Sequence, residues 1–236
     1  MRTYNKNMDE KLSSYLKLFD IFSHNGYSLY LVGGTVRDFL LSLPIDDVDL
    51  ATSASPEDMK GFLENCQVDY TFHKLGSVKL IFEGHRFDIT TLRTEKSYQD
   101  ARHPNKIKFV KTTKEDYKRR DFTINAMYMD EHFRVIDFAN GIDDINHHLI
   151  RMVGNPFKRI KEDPLRIMRA IRFSLDFDFD IEERLKRAIR KYSNLLTKIN
   201  IDKIKQDIGK IKNKDIQKIT KKFDEYNIHY LLNMVE

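Results

Sequence analysis

The 236-residue chain has a single cysteine, Cys66. One thiol excludes an intramolecular disulfide framework and a cysteine-ligated zinc site. No apolar run reaches the ~20 residues that a membrane-spanning helix needs. The opening MRTYNKNMDEK has no signal-peptide pattern. Internal repeats and low-complexity segments are also missing, although Lys, Ile and Asn are frequent after residue 198. These absences lead to the expectation of a soluble cytoplasmic protein with no membrane partner. Excess charge is slight as well: 41 Lys+Arg stand against 36 Asp+Glu, a net +5. Such mild basicity fits a polyanionic partner such as nucleic acid, and fits a solvated surface equally. The length suits one large domain or two small ones with an ample core.

What is present divides in two. Up to about residue 150, strand-like and helix-like patterns alternate. Residues 9–24 place Leu12, Tyr15, Leu16, Leu18, Phe19 and Phe22 at helical spacing. YSLYLV, DVDLA and RFDITTL read as strands, TVRDFLLSL as a helix stopping at Pro44, and AMYMDEHFRVIDF as a hairpin around Asp130 and Glu131. Beyond residue 155 the period is helical, with Ile181, Leu185, Ile189, Tyr192 and Leu196 spaced by three and four. The expectation is an α/β (α+β) head over 1–150 and an all-α neck over 151–236.

The densest chemistry lies in LYLVGGTVRDFLLSLPIDDVDLAT, residues 29–52. Gly33 and Gly34 lack a Cβ and precede a helix start, so backbone N–H groups there can approach a phosphate. Arg37, one turn in, can add a bidentate contact. A plain glycine turn with an Arg37–Asp38 surface pair is the alternative. Asp47 and Asp49 on one strand would share a face. Two converging carboxylates are costly without a cation, and oxygen ligands suit Mg²⁺. Asp88 on a second strand is a candidate third carboxylate. A solvated strand end is the bland alternative. A phosphate turn followed by two acids is what two-metal nucleotidyl transfer requires.

GGTVRDFLL…DDVDLAT resembles the first motif of the class II tRNA nucleotidyltransferase and bacterial poly(A) polymerase family, in the DNA polymerase beta-like superfamily. Three further stretches agree in order: RRDFTINAM (119–127), DFANGIDDI (137–145) and EDPLRIMRAIRFS (162–174). In the second of these, Phe138 replaces the family's proline and Asn140 a glycine. The resemblance implies a nucleotidyltransferase that takes CTP and ATP and extends an RNA 3′ end, most simply tRNA to CCA, releasing pyrophosphate. It implies Asp47 and Asp49 as catalytic magnesium ligands, and Gly33, Gly34, Arg37 and Arg120 at the nucleotide. Asp121 and Asn125 are implied at the ribose, where Asn and Asp can bond a 2′-OH; Asp121 as cap of a helix FTINAM is the alternative. Asp163 and Arg166 are implied as the base-reading pair, with Arg169 and Arg172 in support.

On a helix, Asp163, Arg166, Arg169 and Arg172 would form a slanted ridge, with Ile167, Met168, Ile171 and Leu175 on another side facing the core. Phe173 is placed to stack on a base or an Arg plane. Asp163 before Pro164 also reads as an ordinary helix cap. The stretch 93–104, charged and poor in apolar residues, is expected to be a mobile loop; full CCA-adding members have a loop of comparable length. Family members run longer, with body and tail domains, so the chain reads as a short form. Three alternatives follow: a genuinely compact enzyme, a homodimer or second chain that supplies the grip on tRNA, or a smaller RNA as substrate. Lysines between 186 and 222 form a candidate phosphate surface, and Ile201, Ile204, Ile208 and Ile211 a core stripe or interface. Rival readings are poly(A), CC or A addition on another RNA, a small-molecule nucleotidyltransferase, and a non-catalytic RNA-binding module.

Overall fold

A computed structural model describes residues 6–45, 47–64, 66–98 and 104–234. In chain order the elements are α1 (Lys6–His24), β1 (Leu29–Val32), α2 (Gly34–Leu40), β2 (Val48–Thr52), α3 (Pro56–Phe62), β3 (Gln67–Asp69), β4 (Ser77–Phe82) and β5 (His85–Thr91). Next come β6 (Arg93–Tyr98), β7 (Pro104–Phe109), α4 (Thr113–Asp116), β8 (Met127–Met129), β9 (Val135–Asp137), α5 (Gly141–Asn146) and β10 (Leu149–Ile150). The rest is α6 (Pro156–Glu162), α7 (Leu165–Phe177), β11 (Asp180–Ile181), α8 (Glu183–Tyr192), α9 (Ile201–Gly209) and α10 (Ile216–Glu225). Among the described residues no helix is long and apolar enough to cross a membrane.

The chain forms two compact units. The first comprises Met1–Lys96, Lys106–Arg120 and Asn125–Gly141; the second comprises Ser97–Asn105, Asp121–Ile124 and Ile142–Glu236.

The first unit is built on a seven-stranded sheet in the order β3-β4-β5-β2-β1-β8-β9. Only β2 and β5 pair in parallel, in a register that sets Asp49 opposite Asp88. The remaining neighbours are antiparallel. β1 and β2 are central strands, and Leu29, Leu31, Val48 and Leu50 are buried. Tyr15, Leu18 and Phe22 of α1 are fully buried; each such side chain contributes about 1.5–3 kcal/mol relative to exposure. The β8–β9 hairpin closes through the Asp130 carboxylate, which accepts the N–H groups of His132 and Arg134, both at 2.9 Å. α3 starts at a reciprocal cap: Ser55 Oγ accepts the Asp58 N–H and Asp58 Oδ2 accepts the Ser55 N–H.

One expectation is corrected here. Residues 93–98 and 104–109 are paired strands, β6 and β7, rather than a loop. Local composition hid this, because backbone pairing rather than an apolar face makes the ribbon. Residues 99–103 lie outside the described ones. Asn140, standing where the family carries glycine, has φ 60°. Asn is among the few residues that tolerate this conformation, so the turn before α5 survives the replacement.

The second unit is mostly helical. α7 buries Leu165, Ile167, Met168, Ala170, Ile171, Phe173 and Leu175. Asn155, Asn200 and Asp215 accept first-turn N–H groups at the starts of α6, α9 and α10. Ile181 lies in β11, which pairs in parallel with β10, so the apolar stripe expected from 181 to 196 is helical only from residue 183. Ile204, Ile208 and Ile211 are core, while Ile201 is exposed. Residues 121–124 pack here because Val153 N–H donates to Asp121 O and Thr123 N–H to Arg151 O. Thr123 Oγ1 also donates to the buried Asp144 at 2.5 Å. Those bonds hold Thr123–Asn125 as a single 3-10 turn, so the alternative of a helix FTINAM capped by Asp121 does not occur.

Candidate active site

In the first unit the site starts at the end of β1. Gly33 has φ 67° and ψ −126°, the first central position of a type II′ turn, which glycine fills without strain. Its N–H donates to Met127 O at 3.3 Å and its carbonyl accepts the Arg37 N–H at 3.2 Å. A methyl group built on Gly33 would lie 3.6 Å from Arg120 Nη1, 3.8 Å from Asp49 Oδ2 and 3.9 Å from Asn125 O. The turn, an acid and an arginine therefore meet at one point.

Thr35 holds the acid strand to this turn. Its hydroxyl accepts the Asp49 N–H at 2.9 Å and donates to Asp47 O at 3.4 Å. Asp49 lies within β2, whereas Asp47 stands in a bend just before it. Val48 between them is buried and Asp47 is exposed. Burial, joined by the charges of Asp88 and Asp47, pushes the Asp49 carboxyl up to about 6 despite Arg120 and Arg37. Among the described residues no three His, Cys, Asp or Glu side chains form a metal cage. The donor set still fits magnesium, which takes one or two carboxylates when substrate phosphates complete its shell. Asp88 enters as a neighbouring charge across the parallel register.

Arg37 is buried. Its Nε and Nη2 donate to Asp38 at 2.9 and 3.0 Å, and Nη1 donates to Asn125 Oδ1 at 2.6 Å. The Arg37–Asp38 pair exists, but as part of this bonded set rather than as a surface pair. Asn125 thus belongs with Arg37. Arg120 donates through Nε to Asp116 Oδ2 at 3.2 Å and to Tyr128 Oη at 3.0 Å, and its guanidinium lies 4.9 Å from the Tyr128 ring centre. Burial works against the Asp116 charge, yet Arg119, Arg120 and the Tyr128 hydroxyl hold its carboxyl below the usual range.

The second unit carries the other predicted cluster. Asp163 Oδ1 accepts the Leu165 N–H at 3.1 Å, so it does cap α7. Its Oδ2 accepts Arg169 Nη2 at 2.6 Å, and Arg169 Nη1 reaches Asp121 Oδ2 at 3.0 Å. Burial opposes the Asp121 charge, but Arg169 and Arg166 hold its carboxyl below the usual range. Arg166 Nη1 donates to Arg159 O at 2.6 Å and Glu162 at 3.2 Å, and its Nε is 4.0 Å from Asp163. The fork closest to Asp163 is therefore Arg169 rather than Arg166. The Arg172 guanidinium stacks 4.4 Å from the centre of the Phe173 ring, and that ring is buried, so Phe173 serves an arginine plane and the core rather than a base. Asp121 sits with Asp163, while Asn125, expected beside it at the ribose, sits with Arg37.

The sequence reading missed Thr35, Asp116 and Tyr128. Asp116 was visible in principle, standing three and four residues before Arg119 and Arg120, the spacing of paired neighbours on a helical turn. Thr35 and Tyr128 gave no signal, because their partners are distant in sequence.

Against known proteins, the chain is 45% identical over 186 residues to the CCA-adding enzyme of Lactobacillus helveticus, covering 79% of this chain and 46% of that protein. The crystal structure of the Bacillus stearothermophilus CCA-adding enzyme in complex with CTP superimposes with a TM-score of 0.77 at 36% identity, covering 85% of this chain and 48% of that one. The Thermotoga maritima CCA-adding enzyme complexed with tRNA-CCA gives 0.73 at 26% identity over 95% of this chain and 52% of that one. The chain thus spans about half the length of these proteins. Residues 29–151, just over half of the chain and the span that contains the glycine turn, the acid strand and Arg120, match the Poly A polymerase head domain, and the chain belongs to that family.

Proposed function

We propose that the chain performs nucleotidyl transfer to an RNA 3′ end, adding C and A from CTP and ATP to tRNA and releasing pyrophosphate. The observation that carries the reading is the meeting of Asp49, Arg120 and the Gly33 turn within about 4 Å of one point. Asp47 and Asp49 would hold magnesium. Bound there, the ion would lower the pKa of the RNA's terminal hydroxyl and offset charge developing on the α-phosphate. Backbone N–H groups at the start of α2 and the guanidinium of Arg120 orient the triphosphate. Asn125, fixed by Arg37, is within the same group of bonded residues and offers a donor for a ribose hydroxyl. In the second unit the Asp163 carboxylate and the Arg169 and Arg166 guanidinia supply acceptor and donor edges for cytosine and adenine. Kinship with CCA-adding enzymes, one solved with CTP and one with tRNA, supports the same reading.

The test uses tRNA ending at its last encoded base, labelled CTP and ATP, and magnesium. Sequential addition of two C and one A, abolished in the Asp47→Ala/Asp49→Ala variant, is the expected result. No incorporation, or equal use of GTP and UTP, overturns it. Long tails from ATP alone would point to poly(A) synthesis on the same scaffold.

A further inference from the structure

We propose that Asp116 is the positioning residue of Arg120, a buried carboxylate that aims this guanidinium at the Gly33 turn and ties it to the root of the β6–β7 ribbon. The inference rests on the nucleotide role given to Arg120 above.

Asp116 is fully buried and every contact is directed. Oδ2 accepts Tyr128 Oη at 2.5 Å and Arg120 Nε at 3.2 Å, and forms an ion pair with Arg120 Nη2 at 3.1 Å. Oδ1 accepts the backbone N–H of Arg93 at 2.8 Å and Arg119 Nε at 2.7 Å. Arg93 begins β6, and its Nη2 pairs with Glu95 at 2.9 Å. One carboxylate thus serves a strand end, two adjacent arginines and a tyrosine.

Stability alone is a poor reason for such an arrangement. Buried ion pairs lose much of their Coulomb gain to desolvation, and apolar groups of similar volume often hold a fold as well. The geometry instead fits orientation. A free arginine loses about 2 kcal/mol of rotamer entropy when fixed, and Asp116 with Tyr128 fixes Arg120 in advance. The Nε edge faces Asp116, the plane lies over the Tyr128 ring, and Nη1 reaches toward Gly33. Such an arm can meet a triphosphate without first being ordered.

The experiment is a double-mutant cycle on CTP binding, read by calorimetry on the full chain, with turnover measured alongside. Asp116→Asn keeps the shape and loses the charge. Its expected effect is about a 10- to 100-fold weaker CTP affinity, in line with loss of a charge-assisted bond, and a matching rise in KM with a smaller change in kcat. In an Arg120→Gln background the same substitution is expected to change affinity less than twofold. Tyr128→Phe, which keeps the ring and removes the hydroxyl, should reproduce part of the effect and stands in should Asp116→Asn fail to fold. Equal fold-changes in both backgrounds, or a fall in kcat with unchanged affinity, overturn the proposal. The Arg120 Nε–H resonance gives a readout without nucleotide: one ordered, protected signal in the native chain, lost in Asp116→Asn. An unordered native signal refutes positioning by Asp116. A wild type that binds no CTP but keeps that signal refutes the nucleotide role and leaves the positioning intact.

Discussion

Replacing either of two adjacent glycines should give opposite outcomes, and the difference follows from their backbones. Gly33 sits at φ 67°, ψ −126°. Space is not its constraint, since the atoms nearest to an added methyl group lie at 3.6–3.9 Å, ordinary contact distances. Conformation is: holding an L residue in such a sparsely populated region costs of order 1–3 kcal/mol. Gly34 opens α2, and its φ is not positive. A methyl group there meets Arg37 Nη2 at 3.4 Å, a slight crowding of one side-chain tip. A tolerated Gly→Ala change gains about 0.4–1 kcal/mol by restricting the unfolded chain. At about 2–4 °C per kcal/mol for a chain of this size, Gly33→Ala should lower Tm by roughly 2–12 °C, and Gly34→Ala should stay within about 4 °C of the parent. Thermal unfolding followed by circular dichroism measures both. Under the proposed nucleotide role, CTP affinity should fall in Gly33→Ala, because a relaxed turn moves the backbone N–H groups at the start of α2. Equal Tm shifts for the two variants, or a Gly33→Ala protein as stable as its parent, would refute the conformational argument.

Two other outcomes are expected. Asp49 has a folded pKa of about 6 against an ordinary 3.8, so folding penalises its ionised form; the penalty is absent below about pH 4 and complete well above pH 6. With a chelator present, Asp49→Asn should therefore stabilise the chain at pH 8 by up to about 3 kcal/mol, with the gain gone at pH 4, as urea titrations at the two pH values will show; an equal gain at both would disprove the linkage. Asp163→Ala removes the cap on α7, costing about 0.5–2 kcal/mol, and leaves Arg169 without its closest acceptor. Incorporation of GTP and UTP relative to CTP should rise, measured by single-nucleotide extension, and unchanged selectivity in a folded variant would reduce Asp163 to a cap.

The legible parts of this chain were those with a local cause. Strand alternation in LYLV and RFDITT, the Asp130 hairpin and the apolar face of α7 depend on period and turn chemistry, and all appear in the structure. The β6–β7 ribbon did not, because RTEKSY lacks the apolar alternation that marks a half-buried strand. The site divides the same way. Gly33, Gly34, Arg37, Asp47 and Asp49 lie within 17 consecutive positions, so spacing alone grouped them. Thr35 to Asp49, Arg37 to Asn125 and Tyr128 to Asp116 are pairings made by the sheet. Ridge geometry set Arg166 next to Asp163 and left Arg169 in support. Packing decided between them, because Arg166 bonds back to the last turn of α6.

The stretch RRDFTIN shows why sequence neighbours need not share a task. Arg120 and Asn125 belong to the first unit, while Asp121 and Thr123 between them belong to the second. Arg120 is held by Asp116, Asn125 by Arg37, Asp121 by Arg169 and Thr123 by Asp144. Four partners from four separate segments hold four of six consecutive residues, and each of these four side chains is thus bonded to a different segment of the chain. An insertion of one residue between Arg120 and Asn125 would shift these side chains against their separate partners, whichever chemistry the site performs.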